Sequence, residues 1–166
     1  FNGGTHMSVE DIGVLRSIPN MVIFEPVDNI QLKAMLPQIL EYNGPVYMRM
    51  LRKTAPDIFE NSEQFDLFKS KKIKDGKDIS IFCSGIMVEE SIKAAKILES
   101  QGINAEIINL HTIKPIDKET IINSVKKTRA AVTAENHNVI GGLRSAVSEV
   151  ICENFPVPLK AVGIQD

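Results

Sequence analysis

The sequence predicts an α/β protein of two units, the second built on a mostly parallel sheet. Three observations carry this. Short β-branched runs alternate with longer amphipathic runs, the pattern of βα units. Aspartates, glycines and prolines sit at the junctions, where helices need caps and stops. One stretch, residues 54–77, loses both rhythms and divides the chain into a first unit over 1–53 and a second over 78–166.

The first unit opens with a short helix over 8–16, with Ser8 as N-cap and Asp11 three residues on, as in a capping box. Pro19-Asn20 turns the chain into a strand, MVIFE, over 21–25. Asp28 caps the next helix, with Gln31 three residues later. That helix runs to about Tyr42, and Pro37 inside it is expected to kink it. Asn43-Gly44 ends it, and VYMRML over 46–51 is the next strand, joined by a crossover. In the divider, Thr54, Pro56, Asp57, Asn61 and Ser62 interrupt any period, and only FDLF carries residues ready to dock. It reads as a connector that ends in a small hairpin or strand near 71–75.

In the second unit, ISIFC over 79–83 is a buried-type strand. A helix follows from about Met87 to Gln101, with Val88, Ile92, Ala95 and Leu98 in helical period and Gly102 as its stop. AEIINL over 105–110 is a strand, and Asp117 caps a helix to about Lys127. A strand over 130–135, a helix opened by Gly141 and running to about Asn154, and a strand over 159–164 complete the unit.

Composition narrows the function. Hydrophobic residues make up 43% of the 166, enough for a true core. The net charge is -2, with Lys and Arg spread along the chain, which argues against a nucleic-acid groove or a membrane-surface helix. The run Lys69, Lys71, Lys72 and Lys74 reads as a solvated face of the connector. Cys83 and Cys152 both sit in apolar runs and read as buried reduced thiols. There is no CxxC pair, and His6, His111 and His137 lack zinc spacing. No apolar stretch approaches the ~20 residues that span a bilayer, and a reducing cytoplasm is the compartment that fits.

Four places offer chemistry. His6 follows two glycines that admit a close ligand, and it precedes a helix whose N–H groups favour oxygen-rich groups; otherwise it is an ordinary loop histidine. Arg49 lies near the end of a strand, on the face shared by Tyr47 and Leu51 and opposite Met48 and Met50. Its fork suits a bidentate grip on phosphate, or an ion pair with a carboxylate of its own sheet. In ENHNVIGG, Glu135 and His137 have the makings of acid–base machinery. With no nucleophile nearby and two glycines that suit close backbone packing, an interface or turn role is the better reading. His111, in NLHTIKPID, reads as structural or interdomain. Phosphate-loop, dinucleotide and serine-elbow motifs are absent.

Four blocks in order now match a family. THMSVEDIGVLRSIPNMVIFEPVD, EYNGPVYMRMLRK, GIMVEESIKAAKILESQGINAEIINLHTIKPID and VTAENHNVIGGLRSAVSEV together resemble the C-terminal half of a transketolase. More narrowly, the chain is similar to the separate C-terminal subunit of the split transketolases of many prokaryotes. The resemblance implies a partial pyrimidine-binding α/β domain followed by a transketolase C-terminal-type α/β domain. It implies transfer of a two-carbon ketol unit between sugar phosphates, with thiamine diphosphate and Mg²⁺ as cofactors. The resemblance matches His6 to the family's catalytic and substrate-binding histidine in the sugar channel, and Arg49 to the arginine that holds the substrate phosphate.

One position departs from the pattern: Asn2 stands where the family commonly has an aspartate that recognises a sugar hydroxyl. An amide still hydrogen-bonds, but without charge. The family's activating glutamate, its ring-stacking aromatic and its diphosphate and Mg²⁺ motif have no counterpart here, so the chain is expected to be part of a longer protein or of a complex. Its implied partner is an N-terminal transketolase subunit or domain, in a dimer or a heterotetramer, and alone it is expected to be inactive. Deoxyxylulose-phosphate synthase, the beta subunit of a 2-oxoacid dehydrogenase, and a non-catalytic scaffold are the competing readings.

Overall fold

The computed structural model describes residues 6–51 and 56–166. The elements follow in order: α1 (Asp11–Arg16), β1 (Val22–Phe24), α2 (Asn29–Glu41), β2 (Val46–Met48), β3 (Lys71–Lys74), β4 (Ile79–Cys83) and α3 (Met87–Ser100). After them come β5 (Ala105–Asn109), β6 (Thr112–Lys114), α4 (Lys118–Thr128), β7 (Ala131–Asn138), α5 (Leu143–Asn154) and β8 (Leu159–Ile164). Two sheets result, ordered β2-β1-β6 and β3-β5-β4-β7-β8. The larger is the expected mostly parallel sheet: β5, β4, β7 and β8 run parallel, and only β3 is antiparallel, at one edge.

Strand alternation sorts the core of this sheet. Phe82 and Ile108 face α4 and α5, where Ile121, Val125, Leu143, Val147 and Val150 are buried with them. Ile81, Cys83 and Ile107 face the other way, onto Val88 and Ala95 of α3 and Phe59 of the connector. Ile12 of α1 and Ile23 of β1 are fully buried in the first of these clusters, so both units share it. Each such side chain contributes about 1.5–3 kcal/mol by leaving water.

The connector docks where FDLF predicts. Phe65 and Leu67 join Phe24, Met35 and Met48 in a third cluster. Asp28 caps α2 through the Gln31 amide and also accepts N–H bonds from Ile58 and Phe59, at 2.8 and 2.9 Å. Asp117 repeats the device: it caps α4 at Thr120 and takes the Ser70 amide at 2.9 Å. The basic run is a solvated face laced with ion pairs, Lys69 to Glu119, Lys71 to Glu63 and Lys72 to Asp75.

The structure corrects four local expectations. NLHTIKPID contains a strand, β6, which pairs antiparallel with β1 and so completes the sheet of the first unit. Helix α1 starts only at Asp11, with no side-chain cap from Glu10, and the Asp11 carboxylate goes to Tyr47 and Arg49 rather than into a capping box with Ser8. Helix α5 starts at Leu143 rather than at Gly141, and its first N–H groups are capped from a distance by Glu135. Cys83 is buried, and burial pushes its thiol up to about 12, but Cys152 is exposed. Val150 and Ile151 take the inward positions of that turn, which leaves Cys152 outside. Among the described residues no helix is long and apolar enough to cross a membrane.

Candidate functional site

His6 is exposed, and four residues, Met7 to Glu10, separate it from α1. It therefore stands ahead of the first helical turn, which weakens the helix-dipole argument for a ligand there. Asn2, Gly3 and Gly4 lie outside the described residues.

Arg49 follows β2 and points, as alternation predicts, to the same side as Tyr47. Its Nε donates to Asp11 at 3.0 Å and its Nη1 to Glu25 at 2.5 Å. Its Nη2 donates twice, to the carbonyls of Ser8 at 3.0 Å and Asn136 at 2.8 Å. Four of its five N–H groups are thus bound inside the protein, and the side chain is 11% exposed. The ion pair with its own sheet, the plainer of the two readings of Arg49, is present: Glu25 directly follows β1.

Glu25 and Asp11 are the residues that sequence reasoning missed. Glu25 is buried at the C-terminal end of a parallel strand, the placement that drew attention to Arg49. Its second oxygen accepts from the Ser84 hydroxyl at 2.6 Å. Gly85 turns tightly against it, with φ +50, and a Cβ there would lie 2.7 Å from the Glu25 carboxyl carbon. Burial alone would raise the Asp11 pKa, but the Tyr47 hydroxyl and the Arg49 guanidinium overcome it and hold Asp11 below the usual carboxylate range. Burial and Asp11 together push the Tyr47 phenol up to about 12, so Tyr47 stays a donor.

Glu135 and His137 stand on the other side of Arg49, at the end of β7. Glu135 accepts from the amides of Leu143 at 2.6 Å and Arg144 at 2.9 Å. Burial pushes its carboxyl up to about 7 against the pull of those amides. His137 is fully buried. Its Nδ1 meets the Asn138 carbonyl at 2.6 Å, so that nitrogen carries the proton and Nε2 is free to accept from the Gly13 amide at 3.4 Å. Gly142 leaves room for both: a Cβ there would lie 2.1 Å from Glu135 Oε2 and 2.5 Å from His137 Nδ1. Gly141, at φ +81, packs its backbone on Gly13 of α1. ENHNVIGG is thus the turn and interface element its glycines suggested.

His111 is likewise structural. It is buried between the units, with Nε2 at 3.0 Å from the Asp66 carbonyl and its ring edge-on to Phe24. Burial lowers its pKa, which favours the neutral ring. Among the described residues no group of three or more His, Cys, Asp or Glu side chains is placed to hold a metal ion.

Residues 1–57 match the transketolase pyrimidine-binding domain, and residues 69–166 match the transketolase C-terminal domain. The chain is 52% identical over 165 residues to a 6-deoxy-6-sulfo-D-fructose transketolase subunit of Clostridium sp. (strain MSTE9), covering 99% of this chain and 51% of that protein. It is 44% identical over 169 residues to a putative transketolase C-terminal section of Methanocaldococcus jannaschii, covering 99% and 52%. Among solved structures, one described as a split gene transketolase, inactive beta4 tetramer, superposes with a TM-score of 0.95 at 41% identity, over 99% of this chain and 55% of that one. The chain therefore spans about half the length of the relatives it matches. By its two matching domains and by its fold, it belongs to the transketolase family.

Proposed function

We propose that the chain is the C-terminal part of a transketolase and works with an N-terminal subunit or domain. The assembly transfers a two-carbon ketol unit between sugar phosphates. The observation that carries this reading is the 52% identity, over nearly the whole chain, to a protein itself named as a transketolase subunit. The solved relative described as a beta4 tetramer supports an oligomer, here a dimer or a heterotetramer in the cytoplasm.

When bound, thiamine diphosphate supplies the electron sink for the transferred unit. The resemblance assigns the cofactor and its metal mainly to residues outside this chain. What this chain contributes is positioning. His6 and Asn2 are assigned to hydrogen-bond the sugar hydroxyls. Arg49 offers a substrate phosphate its second Nη1 N–H, which has no partner among the described residues.

The test is a substrate panel on the chain reconstituted with an N-terminal subunit, thiamine diphosphate and Mg²⁺. It holds a ketopentose phosphate, 6-deoxy-6-sulfo-D-fructose and pyruvate as donors. Ketol transfer from either sugar, with none from the chain alone, is the expected result. Pyruvate turnover without sugar exchange would reverse the assignment in favour of a synthase or a 2-oxoacid dehydrogenase, and no turnover of any donor would leave a scaffold.

A further inference from the structure

The segment directly after His6 is held from the C-terminal domain. Its carbonyls go to that domain or to Arg49: Val9 accepts from the Asn138 amide at 2.7 Å, and Ser8 accepts from Arg49. The other half of the same Arg49 nitrogen is tied to Asn136, so one guanidinium bridges the segment to the end of β7. Gly13 rests on Gly141 and donates to His137. Further along, Arg16 closes the clamp on the Gly141 carbonyl at 3.0 Å and on Glu149 at 2.6 Å.

Packing alone does not call for these groups. Ile12 already ties α1 into the shared core. A buried histidine and a guanidinium cost desolvation that an apolar side chain would avoid. What they add is direction, since each bond fixes one donor and one acceptor in place. The polar contacts run from Ser8, two residues past His6, to Arg16.

We infer that His137 is a positioning residue that fixes the Ser8–Gly13 segment, and through it His6, so that the C-terminal domain sets substrate affinity without touching substrate. This rests on the function proposed above. His137 acts on His6 through the Gly13 amide and the neighbouring Asn138–Val9 bond. Arg49, beside its own proposed phosphate contact, ties Ser8 and Asp11 to the Asn136 carbonyl.

The test compares wild type, His137→Leu, His137→Gln and Arg49→Lys, each reconstituted with the N-terminal subunit, thiamine diphosphate and Mg²⁺. Hydrogen exchange of amides 8–14 and ketol transfer from a ketopentose phosphate are both read. In His137→Leu, exchange at 8–14 should speed up about tenfold while amides of β4 and β5 stay protected. KM for the donor should rise about fivefold, more than kcat falls. Gln restores an acceptor for Gly13 and should recover most of both effects. Lys keeps the charge at residue 49 but lacks the fork, and should loosen the same amides. Unchanged exchange at 8–14, or a loss of protection across the whole domain, overturns the inference. So does faster exchange with an unchanged KM. A wild-type complex that shows no ketol transfer sinks the proposed function alone, because the exchange pattern still decides whether the clamp exists.

Discussion

Glu25, just past β1, and Glu135, inside β7, belong to different sheets, and both are buried, at 3% and 2% exposure. Their charges are met in different ways. Glu25 has a full counter-ion in Arg49 and a hydroxyl donor in Ser84. Among the described residues Glu135 pairs with no Lys or Arg, and it faces two amides at the start of α5. The first is a fixed ion pair within the first unit, while the second is a helix cap that burial drives toward a proton. The same buried residue type thus gives an ion-pair hub in one unit and a titrating cap in the other.

Four measurements break or sharpen this contrast. The largest effect should come from Arg49→Met, which strands Glu25 and Asp11 without their cation. A loss of about 3–5 kcal/mol in denaturant-unfolding stability is expected. Next is the pH dependence of Glu135. Its folded pKa, raised to about 7 from an ordinary 4.5, means that the folded state binds the proton more tightly. The stabilisation is fully present below the unfolded value and is lost as pH rises through 7. Across that window wild type should lose up to about 3 kcal/mol relative to Glu135→Gln, read as the difference in slope of stability against pH. Parallel slopes would mean that the cap is ionised throughout.

Third, Gly142→Ala drives a methyl into Glu135 and His137 and should cost about 1–3 kcal/mol, with Arg49 and Glu25 undisturbed. Loss of the Glu25 pair as well would show that the two glutamates act as one unit. Smallest is Lys71→Ala. Its pair with Glu63 lies near the surface, and its removal should cost less than about 1 kcal/mol. An effect as large as that of Arg49→Met would undo the contrast between buried and surface pairs.

The order of elements in the C-terminal sheet was legible because its strands and helices are long enough to show a period. ISIFC and the helix from Met87 satisfy local rules that agree with the final packing. Strand β6 was not legible. It has three residues, lies between a buried histidine and a proline, and gains its identity only from β1, nearly ninety residues earlier in the chain. At the site, alternation gave the face of Arg49 but not its partners. Asp11 fits a capping box by spacing, yet its carboxylate serves a long-range pair, and spacing cannot tell these apart. A strand-end rule applied evenly would have found Glu25. No local pattern shows that His137 reaches Gly13, because that contact joins residues 124 positions apart.

Strand β6 also bears on how this protein can be taken apart. The small sheet borrows its third strand from a stretch lying between β5 and α4, deep in the second unit's sequence. A cut anywhere in the connector therefore yields no two self-sufficient modules. The upstream piece would keep β1 with one side unpaired, and the downstream piece would carry a short strand with nothing to join. Chimeras that exchange this C-terminal domain between relatives must carry a matching β1 with it, or graft at residues 112–114 as a second junction.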